Sequence, residues 1–89
     1  MKFEAVYIEW DDAIVYSPRW KDVDDLKNDA KMIEYCHEVG FIIEENDKYI
    51  LLAARYLIVS ADGEPDVGSP IRIPISQIRK RKKIKLWNQ

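Results

Sequence analysis

Two stretches of the chain show a period of two and a third is apolar on both faces, and all three predict strands. Residues 2–10 and 35–44 each divide into two alternating sets, as the two faces of a strand do. Residues 49–59 are apolar on both faces, which is typical of an interior strand, although the period alone leaves a helix open there. Gly40 falls inside the second stretch and predicts a bulge or a sharp bend. The turn residues Asn46-Asp47 join the second and third strands as a hairpin.

One segment between the first two strands has helical periodicity instead. Asp22 is a candidate N-cap, and the acidic residues that follow it suit the first turn of a helix. We therefore expect a short helix over residues 23–32 that lies on the core by its narrow apolar face. The apolar stripe recurs at spacings of three and four and consists of Val23, Leu26, Ala30 and Ile33.

The remaining third of the chain predicts a loop, two short strands and a turn. Residues 60–70 carry too many Gly and Pro residues for regular structure, so we expect a loop. Residues 71–75 and 79–86 predict strands, joined by a single turn at residues 76–78. The predicted fold is mainly β (α+β), a small, strongly bent antiparallel sheet or SH3-like barrel of about five strands with one short helix. Such an analogy of fold carries no function.

The 89 residues allow one domain, and their charge is unevenly divided. Residues 79–89 form a basic C-terminal strand and tail that holds six of the 14 basic residues. Residues 1–78 hold the other eight and all 16 acidic residues, a net charge of −8. This asymmetry predicts either an anionic partner or pairing of the basic strand with acidic segments of the chain. The single cysteine rules out an internal disulfide and favours the cytoplasm, and no segment is long and apolar enough to predict a membrane span.

Catalytic chemistry is poorly represented. Cys36 and His37 are neighbours on a predicted strand, so their side chains point to opposite faces and cannot readily pair. Metal-ligand spacings and a glycine-rich phosphate loop are missing, so we expect no metal and no cofactor. Adjacent carboxylates are more typical of turns and caps than of a catalytic pair, and they are Asp11-Asp12, Asp24-Asp25 and Glu44-Glu45. The sequence therefore predicts a protein that is not an enzyme and has no catalytic residues.

The basic strand is the first candidate binding site. Strand alternation places Arg79, Arg81, Lys83 and Lys85 on one face, where they could hold a phosphate, and Trp87 in phase with them could stack on a base. The alternative is that these cations protect an exposed edge strand from aggregation. Nucleic acid is a less favoured ligand, because the acidic remainder of the chain would repel a long polyanion.

A second candidate surface lies in or beside the irregular segment before the helix. It combines Trp10, Tyr16, Arg19 and Trp20, and these residue types are enriched at interface hot spots. The alternative for Trp20 is a hydrophobic staple that packs onto Leu26 or Ala30 just before the helix cap.

Several short motifs together resemble a known group of proteins. They are Glu9-Trp10-Asp11-Asp12-Ala13, Trp20 with Asp22, Val39-Gly40-Phe41-Ile42-Ile43-Glu44-Glu45, Asp47, the apolar run from Tyr49 to Ala54, and Ile73-Pro74 with Ile78. In this pattern the chain resembles a family of small bacteriophage and prophage proteins, mostly of unassigned function. It departs from the pattern at Ile75-Ser76, where a Lys-Gly pair is expected. The resemblance implies an accessory protein that blocks a host defence, either by binding a host protein or by sequestering a nucleotide signal as a homo-oligomer.

Three hypotheses follow, in order of preference. In the first, the chain sequesters a small phosphorylated, nucleotide-type ligand, with Arg79, Arg81 and Lys83 on the phosphate and Trp10 or Trp20 on the base. In the second, it inhibits a host protein through a surface formed by Tyr16, Arg19 and Trp20 together with an edge strand. In the third, it binds nucleic acid through the basic C-terminal strand.

Overall fold

A computed structural model describes residues 3–32, 34–58 and 63–86 and has five strands and one α-helix in that part of the chain. All neighbouring strands are antiparallel, and they form one open sheet in the order β4-β3-β2-β1-β5. The predicted mainly β fold with a single helix is confirmed. The elements are β1 (Ala5–Trp10), α1 (Val23–Ala30), β2 (Cys36–Glu45), β3 (Tyr49–Leu57), β4 (Asp66–Pro74), a 3₁₀ turn (Ile75–Gln77) and β5 (Ile78–Ile84).

The two edge strands, β4 and β5, follow one another in the chain and are joined by a single turn. Because so short a connection must pass from one edge of the sheet to the other, the sheet has to be strongly bent. Backbone hydrogen bonds hold the turn in place. The amide of Ile75 donates to the carbonyl of Lys48 at 2.9 Å, and the amide of Asp11 donates to the carbonyl of Gln77 at 2.9 Å. The strand–turn–strand ending is the feature that resembles an SH3-like barrel. In this chain it ends an open sheet and not a closed barrel.

Gly40 lets β3 approach β2 closely. A Cβ atom at this position would lie 3.1 Å from the carbonyl oxygen of Ala53 and 3.2 Å from Cβ of Leu52. The register of the β2–β3 pair shifts between Ile42 and Glu44, so the irregularity of β2 lies just beyond Gly40. The glycine predicted the distortion of this strand, and its local role is to make room for the neighbouring strand.

The loop predicted over residues 60–70 is wrong in its second half, because β4 already begins at Asp66. Residues 59–62 lie outside the described residues. Gly68 and Pro70 are tolerated within β4 because it is an edge strand, where a missing ladder hydrogen bond costs little. Ser69 between them has a left-handed φ of 52°, which interrupts the regular pairing with β3.

The core is formed by one face of the bent sheet. Three of its side chains, Ile8, Ile50 and Ile73, are fully buried, and they come from β1, β3 and β4. Apolar side chains of the 3₁₀ turn and of the start of β5 pack against this cluster. Burial of each large aliphatic side chain stabilises the fold by roughly 1.5–3 kcal/mol. The remaining members of the buried cluster are Val6, Trp10 and Leu52.

Helix α1 does not lie on this core, contrary to the prediction. Its N-cap is as expected, because the Asp22 side chain accepts a hydrogen bond from the amide of Asp24. However, no residue of α1 is buried, and Val23 and Leu26 are 63% and 39% exposed. Ile33 of the predicted stripe lies outside the described residues. The amphipathic pattern shows that α1 has an apolar face, but it does not show which surface this face packs against. The bent sheet encloses its core without the helix.

Residues 11–32, named the arm here, extend away from the sheet as a consequence. Within the described residues, α1 makes no extensive contact with any strand. The radius of gyration is 17.5 Å, whereas a compact chain of this length is expected near ~12 Å. The molecule is accordingly elongated, with a long axis of 59 Å against 25 and 24 Å for the other two.

Candidate functional site

The five residues predicted to bind a phosphorylated ligand are not brought together. Trp10 lies at the end of β1 inside the core cluster and is only 8% exposed. Its indole nitrogen is buried and has no hydrogen-bond partner among the described residues. Its ring therefore cannot stack on a ligand at the surface. Trp20 lies on the arm, outside the sheet to which β5 belongs.

Carboxylates of the same chain pair with part of the basic face of β5. Both terminal nitrogens of Arg81 donate to the carboxylate of Glu45, and Lys83 reaches Glu4 at 3.3 Å. The Arg81 pairing lowers the pKa of Glu45, because the guanidinium hydrogen-bonds to its ionised form. Of the two interpretations of the basic strand, the contacts favour internal pairing, because three of its six cations have a carboxylate partner among the described residues.

The other cations of β5 have partners of different kinds. The Arg79 guanidinium lies 4.2 Å from the ring centre of Tyr35, a cation–π contact. Lys80 lies beside its cross-strand neighbour Glu9, with 4.0 Å between the charged atoms. Lys82 forms no ion pair within the described residues, and it faces Tyr7 across the strands. Trp87, the predicted stacking residue, lies outside the described residues.

The arm, in contrast, presents the residues of the second candidate surface to solvent. Trp20 is fully exposed, Tyr16 is 41% exposed, and Arg19 is exposed beside them. The three residues line an open cleft of about 420 Å³ together with Leu26 of α1. The alternative in which Trp20 packs down as a hydrophobic staple is not formed. The structure therefore brings together the residues predicted for partner binding and adds Leu26, which the sequence assigned to the core.

Short-range polar contacts give the arm its local shape. The amide of Arg19 approaches the Ser17 hydroxyl at 3.4 Å, which shapes the turn through Pro18. Lys21 forms an ion pair with Asp29, and this ties the segment that carries Trp20 to α1. The hydrogen bond to the Asp29 carboxylate raises the pKa of Lys21, since it stabilises the ammonium form. The cleft is thus built within the arm and does not depend on the sheet.

Other apolar side chains of the arm extend the exposed surface beyond the cleft. Val15 is 94% exposed, and none of these side chains had been predicted as part of a site. Large exposed apolar patches mark interaction sites, whereas single exposed apolar side chains are common on any surface. The sequence signal was present as several apolar residues in an irregular segment followed by a short amphipathic helix. The additional exposed members are Ile14, Val15, Val23 and Met32.

The outer face of the sheet carries a small polar cluster that the sequence did not predict. Tyr7 and His37 are stacked with ring centres 6.1 Å apart, and the Tyr7 hydroxyl lies 2.7 Å from Nδ1 of His37. Burial, a hydrogen bond to Glu9 and the negative charge of Glu9 raise the pKa of Tyr7.

Cys36 packs against the core, whereas His37 lies on the outer face, as strand alternation predicts for neighbouring residues. Desolvation raises the pKa of the Cys36 thiol. A thiol in that state is a poor nucleophile.

The described residues contain neither a metal-binding cluster nor a helix that could span a membrane. Across residues 3–32, 34–58 and 63–86, no three side chains of His, Cys, Asp or Glu lie close enough to hold a metal ion. In the same ranges, the helix present is too short and too polar to cross a membrane.

Comparison with known proteins gives no relative for this chain. No family model matches it, and neither the curated proteins nor the solved structures contain a significant match. The resemblance to small phage proteins accordingly stays a prediction from the motifs.

Proposed function

We propose that this chain is a non-enzymatic interaction module that binds a protein partner through the arm. The observation that carries the proposal is the fully exposed Trp20, held with Tyr16 and Leu26 around one cleft on a segment that does not pack on its own sheet. Large apolar side chains are costly to leave in water, at roughly 1.5–3 kcal/mol each relative to burial. A partner that covers them recovers this free energy.

The chemistry of the arm describes the partner. Its apolar side chains stand among six Asp residues and four Lys or Arg residues, so the surface is apolar with a net negative charge. The complementary surface is an apolar groove bordered by basic side chains, which takes an amphipathic helix and its flanking segment. Trp, Tyr and Arg are the residue types that dominate binding energy in such interfaces. Because the chain resembles phage proteins, the proposed partner is a protein of the bacterial host. Binding of the arm would inhibit the activity of that host protein.

The contacts of the basic strand support sequestration of a phosphorylated ligand less well than the sequence pattern did. That hypothesis needs a convergent cationic site with an aromatic ring beside it. Arg81 and Lys83 instead face Glu45 and Glu4, and Trp10 is enclosed in the core. A ligand would have to displace two ion pairs before it could bind the strand, which lowers its affinity.

The direct test is capture of a partner from cells of the bacterial host, followed by titration of the purified partner. We expect Trp20→Ala to weaken binding by roughly 2 kcal/mol or more, about thirtyfold, because a central Trp anchor is a typical hot spot. Val39→Ala is the matched control, since Val39 is 61% exposed on β2 and lies outside the arm. It should bind the partner as the unsubstituted chain does.

Two results would contradict the proposal. One is a purified partner that binds the Trp20→Ala and Val39→Ala variants with equal affinity. The other is a homo-oligomer that dissociates on Trp20→Ala in sedimentation experiments, because the arm would then be covered by a second copy of the chain.

A further inference from the structure

We propose that the distal end of the β3–β4 hairpin holds a binding site for a carboxylate attached to an apolar group, with Arg55 as its anchor. This site lies outside the arm and rests on different residues, so it is independent of the proposed function. The cavity there has a volume of about 490 Å³. Its lining combines Arg55 and Asp66 with apolar side chains from both strands.

The Arg55 side chain lies against the opposite strand. Arg55 pairs with Gly68 in the register of β3 and β4. A Cβ atom at Gly68 would lie 2.5 Å from Nε and 2.8 Å from Cζ of Arg55, so the guanidinium rests directly on the glycine backbone. Any other residue at position 68 would displace the Arg55 side chain from this position, so the glycine favours the arrangement in the absence of a ligand.

The neighbouring residue fixes the same group from a second direction. Nη1 of Arg55 donates to the hydroxyl oxygen of Ser69 at 3.3 Å. Ser69 adopts a φ of 52°, a left-handed conformation that serine seldom takes. Strained residues of this kind occur preferentially where a side chain has to be held for function. Here the strained residue is the one that orients the guanidinium.

The charge of Arg55 is not satisfied by the sheet. Among the described residues no carboxylate forms an ion pair with it, whereas Arg81 and Lys83 each have one. A guanidinium offers a planar fork of N–H donors that matches a carboxylate bidentately. Asp66 lines the same cavity, and its negative charge opposes a doubly charged phosphate more strongly than a singly charged carboxylate. Of these two anions, a monocarboxylate fits the site better.

The rest of the lining fits an apolar group attached to that carboxylate. Leu57 of β3 is 64% exposed and Val67 of β4 is 42% exposed, and both line the cavity. In the strand register Leu57 pairs with Asp66, and Val67 pairs with Tyr56. An acid with a branched aliphatic body would cover Leu57 and Val67 while its carboxylate meets Arg55. An N–H next to the carboxylate would donate to Asp66, as at the end of a peptide or in an acylated amino acid.

The test is a two-dimensional NMR titration of the full chain with N-acetyl-leucine. We expect saturable shifts confined to residues 55–57 and 66–69, with a dissociation constant on the order of 1–10 mM for so small a ligand. The uncharged probe N-acetyl-leucinamide should give no saturable shifts, and phenyl phosphate should bind more weakly than the carboxylate. Equal shifts with the amide, stronger binding of phenyl phosphate, or no saturable shift with N-acetyl-leucine would each overturn the proposal.

Two variants and a control separate the site from the fold. Arg55→Gln removes the charge from an exposed side chain and should weaken binding at least roughly tenfold with an unchanged spectrum elsewhere. Gly68→Ala should weaken it as well, because the new Cβ pushes the guanidinium aside. Arg72→Gln is the control, since Arg72 lies on β4 over the ring of Tyr49, away from the cavity. Unchanged affinity in Arg55→Gln, or an equal loss in Arg72→Gln, would contradict the assignment.

Discussion

The sheet and the arm use apolar residues in opposite ways. In the sheet, Ile8, Ile50 and Ile73 are fully buried and hold three strands together. In the arm, apolar side chains such as Val15 and Trp20 stay exposed to water. Both regions are rich in apolar residues, so composition does not distinguish them.

The comparison teaches that stability and recognition are separated in this chain. The sheet is bent so strongly that β4 and β5 meet through one turn, and its core is closed without help from the helix. The arm is shaped by its own contacts, chiefly the Lys21–Asp29 ion pair and the Asp22 cap. Substitutions in the two regions should therefore have different consequences, and the following predictions test that separation.

The largest effect is expected from a core truncation in the sheet. Ile8→Ala removes a fully buried side chain from the central region of β1 and should lower the free energy of unfolding by about 2–5 kcal/mol. If this unfolds the chain, Ile8→Val should cost about 0.5–1.5 kcal/mol and remain measurable. Urea unfolding followed by circular dichroism gives both values. A change below about 0.5 kcal/mol, which is typical of surface substitutions, would mean that Ile8 does not lie in the core.

A smaller effect is expected where two strands approach most closely. Gly40→Ala places a Cβ atom 3.1 Å from the Ala53 carbonyl and 3.2 Å from Cβ of Leu52, both held within β3. Separating the strands to make room should cost about 1–3 kcal/mol. The same unfolding experiment applies, and a neutral or stabilising result would show that β2 and β3 are less closely packed than described.

The ion pair between Arg81 and Glu45 should contribute less, because both side chains are partly exposed. A double-mutant cycle with Arg81→Gln and Glu45→Gln should give a coupling energy below about 1 kcal/mol at neutral pH. The folded-state pKa of Glu45 lies below its ordinary value of 4.5, so the coupling is present above that pH and is lost as the pH falls below it. A coupling that persists unchanged in acid would exclude this pair as its source.

The smallest effect on stability is expected in the arm, at the residue expected to matter most for binding. Trp20→Ala should change the free energy of unfolding by no more than about 0.5 kcal/mol, because the ring contacts no core residue. Acrylamide quenching of the tryptophan fluorescence should at the same time lose the component that comes from the exposed Trp20 ring. A destabilisation comparable to that of Ile8→Ala would show that Trp20 packs within the fold.

Much of the sheet could be predicted from the sequence because its signals are local. Alternation identified β1 and β2, and an apolar run indicated β3 while leaving a helix open. Gly40 located the distortion in β2 to within a few residues. The start of β4 was missed, since Gly68 and Pro70 read as loop residues and only their position at a sheet edge makes them acceptable. Edge position is a property of the assembled sheet and cannot be read from a short window.

The candidate sites were less predictable, because they depend on what lies opposite each residue. The amphipathic stripe of α1 indicated that the helix has an apolar face, but the sequence could not tell which surface covers it. The six cations near the C-terminus suggested a free basic face, while Glu4 and Glu45, distant in sequence, neutralise part of it. Arg55 interrupted an apolar run, and only the pairing with Gly68 reveals how it is held.

Replacement of residues 13–34 by a short Gly-Ser turn removes nearly all of the arm and leaves the strands unchanged. Trp10 and Cys36 are cross-strand neighbours, so a few residues suffice to join β1 to β2 without the arm. We expect the shortened chain to keep its sheet, to gain about 1 kcal/mol in stability from the shorter loop, and to lose binding of the partner. An armless chain that fails to fold, or that binds the partner with unchanged affinity, would contradict the separation of a self-sufficient sheet from a binding arm.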